Sequence, residues 1–335
     1  SFRHGAGVKF TLLAMLLFCL VPLFAWAAPP HSPYNLALIE FQSGKFRQAS
    51  MMLNSALQEY PDSASLQLLL ARCYYELRDW DLAALHAESA EKIEPQSAEV
   101  HLWLGRIYGR EAEQEHSLKL AVKTRKEFEQ AVSIDPSNVD AHRDLMTFYL
   151  EAPWVLGGGK AKALKQAETI GTLDPVQGAL ARGHYYETLG QTQKAAAEFN
   201  KAIQLKPGKA EPYFDAAQFY ESRGDQAELE KAIGLAAQAH PSDPRVPYYR
   251  GVIDAMEGKH LVNAERELKS YLATAPHRSD YPSQASALNW LGQVYERLGK
   301  PQLAAQEYFA ALQINPQSDV ARQGLQRLKA NHNPQ

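Results

Sequence analysis

Cysteine is scarce in this sequence. Cys19 and Cys73 are the only two in 335 residues, too few for a disulfide framework. An excess of charge of either sign is also missing, because 35 Lys and Arg stand against 38 Asp and Glu. Nucleic-acid binding normally needs a basic excess or a basic stripe, so no nucleic-acid partner is expected. The HExxH, CxxC and calcium-loop patterns of metal sites and the GxSxG elbow of hydrolases do not occur. His86, His116, His142, His184 and His260 are scattered along the chain and read as exposed or core residues. Neither a metal nor another cofactor is expected, and no enzyme activity. What is present is a 45% hydrophobic composition with only 19 prolines, ample for a folded core and without the signature of disorder.

One long uncharged run stands near the start. Arg3 and Lys9 precede the stretch Phe10 to Ala27, Pro22 interrupts it, and Ala25-Trp26-Ala27 follows the small-x-small pattern of a signal-peptidase site. Residues 1–27 therefore read as a secretory signal, giving an exported, periplasmic protein that begins at Ala28. The competing reading is an inner-membrane anchor over residues 10–28, since about 20 apolar residues span a bilayer. A membrane contact is expected only if this segment is retained. Leu16-Leu17-Phe18-Cys19 lacks the small residue before cysteine that a lipobox needs. Without residues 1–27 the chain keeps 33 bases, 38 acids and Cys73, which reads as a core residue.

The rest is repetitive. Alanine-rich segments ending in proline recur at Pro61, Pro95, Pro136, Pro175, Pro207, Pro241, Pro276 and Pro316, at intervals of 34, 41, 39, 32, 34, 35 and 40. Proline stops a helix and disfavours helical geometry in the residue before it. Two residues later, Ser63, Ser97, Asn138, Asp243 and Ser318 stand where an N-cap is needed. Pro244 fits the first helical position. Small residues recur where paired helices must approach, at Ala71, Gly105, Gly183, Ala217, Gly251 and Gly292 in first helices. Ala49, Ala83, Ala163, Ala195, Ala264 and Ala304 play that part in second helices.

The clearest unit reads Leu291-Gly292, Tyr295, Ala304, Tyr308, Ala311, Pro316. Gly183, Tyr186, Ala195, Phe199, Ala202 and Pro207 form another copy. So do Leu104-Gly105, Tyr108, Phe128, Ala131 and Pro136, with seven extra residues between the helices. In these positions the chain resembles the tetratricopeptide-repeat family. The first and seventh units are weaker, with Glu40 and Asp254 in place of tyrosine. The resemblance implies an all-α, right-handed superhelical solenoid of about eight helix–turn–helix units over residues 30–316. A capping helix and tail would follow over 317–335.

The family resemblance also implies a concave groove, lined by first helices, that holds a protein or an extended peptide. Carried over unit by unit, the groove positions are Arg72, Tyr75, Leu102, Arg106, Arg110 and Arg143, with Trp103 close by. Later units place Glu187, Glu211, Asp215, Glu221 and Glu296 there, beside Phe214, Tyr248 and Tyr249. The groove is thus expected to be basic toward its N-terminal half and acidic beyond. The family's carboxylate clamp for chaperone tails is missing. Gly157-Gly158-Gly159-Lys160 is not a phosphate loop, because Trp154 and Ala161 occupy places that need glycine and Ser or Thr. It reads as a turn within the fourth unit, whose Pro153 and Trp154 project as a contact loop. The function expected is a periplasmic scaffold or adaptor, with a small-ligand component of an envelope transport system as the alternative.

Overall fold

The computed structural model describes residues 32–332 apart from His277 and Ser279; the stretch read as a signal, Ala28, and the last three residues of the tail lie outside them. Among the described residues there are seventeen α-helices, one short 3-10 turn and no strand. The helices come as eight pairs and a final helix. The pairs are α1 (Pro33–Gln42) with α2 (Phe46–Glu59), α3 (Ala64–Glu76) with α4 (Trp80–Ile93), and α5 (Ala98–Glu115) with α6 (Leu118–Ile134). Next come α7 (Val139–Glu151) with α8 (Lys160–Leu173), α9 (Pro175–Thr188) with α10 (Thr192–Gln204), and α11 (Glu211–Arg223) with α12 (Gln226–Ala239). Last are α13 (Arg245–Glu257) with α14 (Leu261–Thr274), α15 (Gln284–Arg297) with α16 (Pro301–Ile314), and α17 (Asp319–His332). No described helix is long and apolar enough to cross a membrane.

Local chemistry explains where the helices start. The hydroxyls of Ser63, Ser97 and Ser318 and the Asn138 carboxamide each accept a bond from the backbone N–H three residues on. Asp79, Ser117 and Asp225 do the same at the starts of α4, α6 and α12. Two prolines depart from the pattern. Pro175 opens α9 rather than closing a unit, with Asp174 as the single residue between α8 and α9 and as the N-cap of α9. Pro244 lies just before α13, which starts at Arg245. Asp243 accepts the Arg245 N–H at 2.9 Å and also binds the Arg245 guanidinium.

Each pair packs through its small residues. The alanines expected at the contacts, from Ala49 to Ala304, are all fully buried. In four units a first-helix glycine faces a large second-helix side chain: Gly105 meets Phe128, Gly183 meets Phe199, Gly251 meets Leu268, and Gly292 meets Tyr308. Full burial of such a side chain contributes about 1.5–3 kcal/mol. Cys73 is fully buried in the core formed by α1, α2 and α3, and burial pushes its thiol up to about 12. It is therefore an inert core residue. Second helices pack on the first helix of the next pair, and first helices touch one another from unit to unit, as α3 does α5, α5 does α7, and α7 does α9. The result is a superhelical solenoid whose first helices share one face.

Candidate partner-binding groove

On that face the Trp103 ring meets two guanidinium groups. Arg72 lies 5.0 Å from the ring centre, and Arg106 lies 4.7 Å from it. Arg72 also covers Phe41 and faces Glu99 at 3.6 Å. Arg106 Nε donates to the Asp144 carboxylate. Burial pushes the Asp144 carboxyl above the ordinary range, against the pull of Arg106. Arg110 donates to the Tyr75 hydroxyl at 3.1 Å and to Glu113 at 3.0 Å. Arg143 donates to Gln177 at 2.7 Å and pairs with Asp140 at 3.0 Å.

The four arginines expected in the groove are therefore present, and each already has an acid beside it. Their charges are compensated locally, so the strip is not the bare basic surface that the sequence suggests. The acids come from other turns or other units, as with Asp144, 38 residues from Arg106. Leu102 is 3% exposed and packs in the core with Phe128 and Leu145. It offers a partner no surface. Tyr75 stands edge-on to both Trp80 and Trp103.

Three acids of the other half are compensated in the same way, while burial raises the Asp215 carboxyl. Glu187 faces Arg223, Glu211 faces Arg245, and Glu296 binds Arg327. One oxygen of Glu221 accepts from Tyr248 at 2.9 Å and from Trp290 at 2.7 Å. Burial raises this carboxyl, while those two bonds lower it. Phe214 and Tyr249 stack at 5.9 Å, with Arg245 over Phe214.

The loop after α7 is built by its glycines. A 3-10 turn, Trp154–Leu156, leads into Gly157 at φ 95°, a left-handed conformation that favours glycine. Any side chain on Gly158 would overlap the Ala152 carbonyl. The N–H groups of Gly157, Gly158 and Gly159 bond to the carbonyls of Trp154, Pro153 and Tyr149. None is left to cradle a phosphate, in agreement with the failed phosphate-loop motif. Lys162 fixes the loop further by donating to the Gly157 carbonyl at 3.0 Å.

This loop lies beside the long third unit. Together they enclose an open cleft of about 750 Å³ lined by Tyr75, Arg106, Arg110, Phe148, Pro153 and Leu156, among others. At the start of α6, Leu118 is 69% exposed, and in the loop Trp154 is 84% and Val155 64% exposed. The structure thus joins part of the expected groove to the expected contact loop. Leu118 escaped the sequence reading because a leucine opening a helix resembles any core residue. Its place after the insertion was the available signal.

Tetratricopeptide-repeat family models match residues 40–107, 177–209 and 254–319. With the paired helices just described, they identify the chain as a tetratricopeptide-repeat protein. Similar solved structures include a tetratricopeptide repeat protein from Parabacteroides merdae, 16% identical with a TM-score of 0.47, the match covering 79% of this chain and 98% of that one. A thermophilic protein of this type from Thermus thermophilus is 19% identical with a TM-score of 0.46, over 51% of this chain and 89% of its own. MamA is 19% identical with a TM-score of 0.39, over 50% and 93%. No curated protein matches the chain. The fold is typically that of a non-catalytic protein-interaction scaffold.

Proposed function

We propose that this protein is a non-enzymatic, exported scaffold that holds a protein or an extended peptide at the cleft between its third and fourth units. The observation that carries this reading is the apolar rim. Leu118, Trp154 and Val155 stand in water beside an open cleft, and an exposed apolar patch of this kind marks an interaction site. A partner's apolar side chain would enter between Phe148, Pro153 and Leu156, while Arg110 at the lip meets a polar or acidic neighbour. An open cleft suits a macromolecular segment better than an enclosed small ligand.

Export rests on the sequence pattern of residues 1–27, and it places the partner in the periplasm. A photo-crosslinking residue at Trp154, compared with one at exposed Gln302, tests the site in cells. Crosslinks from position 154 that disappear in a Leu118→Ser background support the cleft. Equal crosslinking from both positions, or none from 154, overturns it. N-terminal sequencing of the exported chain tests the signal, with Ala28 expected as its first residue.

A further inference from the structure

Three successive units carry a polar pair between their two helices. In the second unit the His86 ring meets the Gln67 side chain at 2.8 Å. In the third, His101 Nδ1 lies 2.7 Å from Glu127 Oε2. In the fourth, His142 Nδ1 lies 2.6 Å from Gln166 Oε1. The last two rungs share a frame. Each histidine lies six residues after its proline, and Nε2 donates to that proline's carbonyl, Pro95 at 3.0 Å and Pro136 at 2.9 Å.

Only the middle rung has carboxylates. There Gln166 is replaced by Glu127, and Glu91 of α4 approaches from the preceding unit. Ligand atoms of Glu91, His101 and Glu127 all lie within 4.8 Å of one another. We propose that Glu91, His101 and Glu127 form a binding site for a divalent transition metal of the zinc type.

The histidine is arranged as a ligand needs. Its ring is buried, and the bond from Nε2 to the Pro95 carbonyl leaves Nδ1, which now faces Glu127 Oε2, as the nitrogen that binds a metal in exchange for its proton. Metal-binding histidines are commonly oriented by such a second bond. One imidazole and two carboxylates are a set that zinc accepts, with a position left for water. Tetrahedral zinc needs ligand atoms about 3.4 Å apart, given bonds of about 2.1 Å. The close pair must open a little and the half-buried Glu91 must swing inward.

The surroundings favour a cation. Glu88 accepts the Tyr108 hydroxyl at 2.7 Å beside the cluster. Three helices, α4, α5 and α6, deliver the ligands, so no short sequence motif announces the site.

Zinc chloride added to the metal-free protein, followed by calorimetry, tests the proposal. One equivalent is expected to bind, and Glu91→Gln and Glu127→Gln are each expected to weaken binding by about tenfold or more. His142→Gln is expected to leave it unchanged. Glu127→Gln recreates the side-chain pair that already exists at His142 and Gln166, so its folding has a precedent in the same molecule. Circular dichroism confirms that before titration. No binding by the wild type, or binding that neither Glu variant changes, overturns the site.

Discussion

The ring of Tyr308 fills the space that a side chain on Gly292 would need, its Cε1 lying 2.6 Å from the position of an added Cβ. The opposite edge of the same ring faces Gly324 of the final helix. Two glycines thus clasp one tyrosine, which couples the eighth unit to its cap. Its hydroxyl is bound to Glu296, which Arg327 of α17 also holds. Gly292→Leu is therefore expected to destabilise the array by about 3 kcal/mol, the upper range for overpacking. Exposed Gln302→Ala is expected to change little. Denaturant unfolding of the two variants checks this, and equal midpoints would mean that the ring moves aside freely.

A second prediction concerns the turn within the units. Gly44, Gly190, Gly224, Gly258 and Gly299 all have φ between 67° and 76°, and the second unit places Arg78 there at φ 60°. A side chain in the left-handed region costs about 1–2 kcal/mol. Arg78→Gly is expected to stabilise the protein by about 1 kcal/mol, reduced by the greater freedom of glycine in the unfolded chain. A rise in the melting temperature confirms it, and a fall would show that the Arg78 side chain contributes more than the turn strain costs.

These features were legible because they are local. Proline spacing, caps and small-against-large positions all lie within a unit and repeat. The charge pattern was not, since Arg106 meets Asp144 and Arg72 meets Glu99 across units, where register alone does not tell which side chains touch. The irregular segments were legible as departures from the repeat. That the third-unit insertion and the Trp154 loop line one cleft follows only from stacking the third unit on the fourth.

Glu111 gives a pH dependence. Burial, and then the charges of Asp81, Glu115 and Glu88, raise its carboxyl from 4.5 to about 7. The folded state then binds this proton more tightly than the unfolded chain does. Stability from this group falls as pH rises from 4.5 through about 7. Glu111→Gln removes the ionisation. The variant is expected to melt above the wild type at pH 8 and to lose that advantage toward pH 4. Parallel melting curves across this range would show that Glu111 ionises without cost.

The last prediction concerns the arginine strip. If its arginines were only a solvated binding face, neutralising them would leave stability unchanged. The structure leads to a different expectation for Arg106, because Asp144 accepts its Nε bond in a desolvated setting. Removing Arg106 leaves the half-buried Asp144 charge without its hydrogen-bonded partner, a loss of about 2 kcal/mol. Replacing both members with apolar side chains avoids that penalty. Arg106→Met is expected to lower the unfolding free energy by about this amount, and Arg106→Met with Asp144→Leu to recover most of it. Arg110→Gln, at an exposed position, is expected to cost less than about 1 kcal/mol. A double-mutant cycle by denaturant unfolding measures the coupling. A coupling near zero would return Arg106 to the solvent-facing strip. A strong one would make Arg110 the arginine whose substitution tests binding without disturbing the fold.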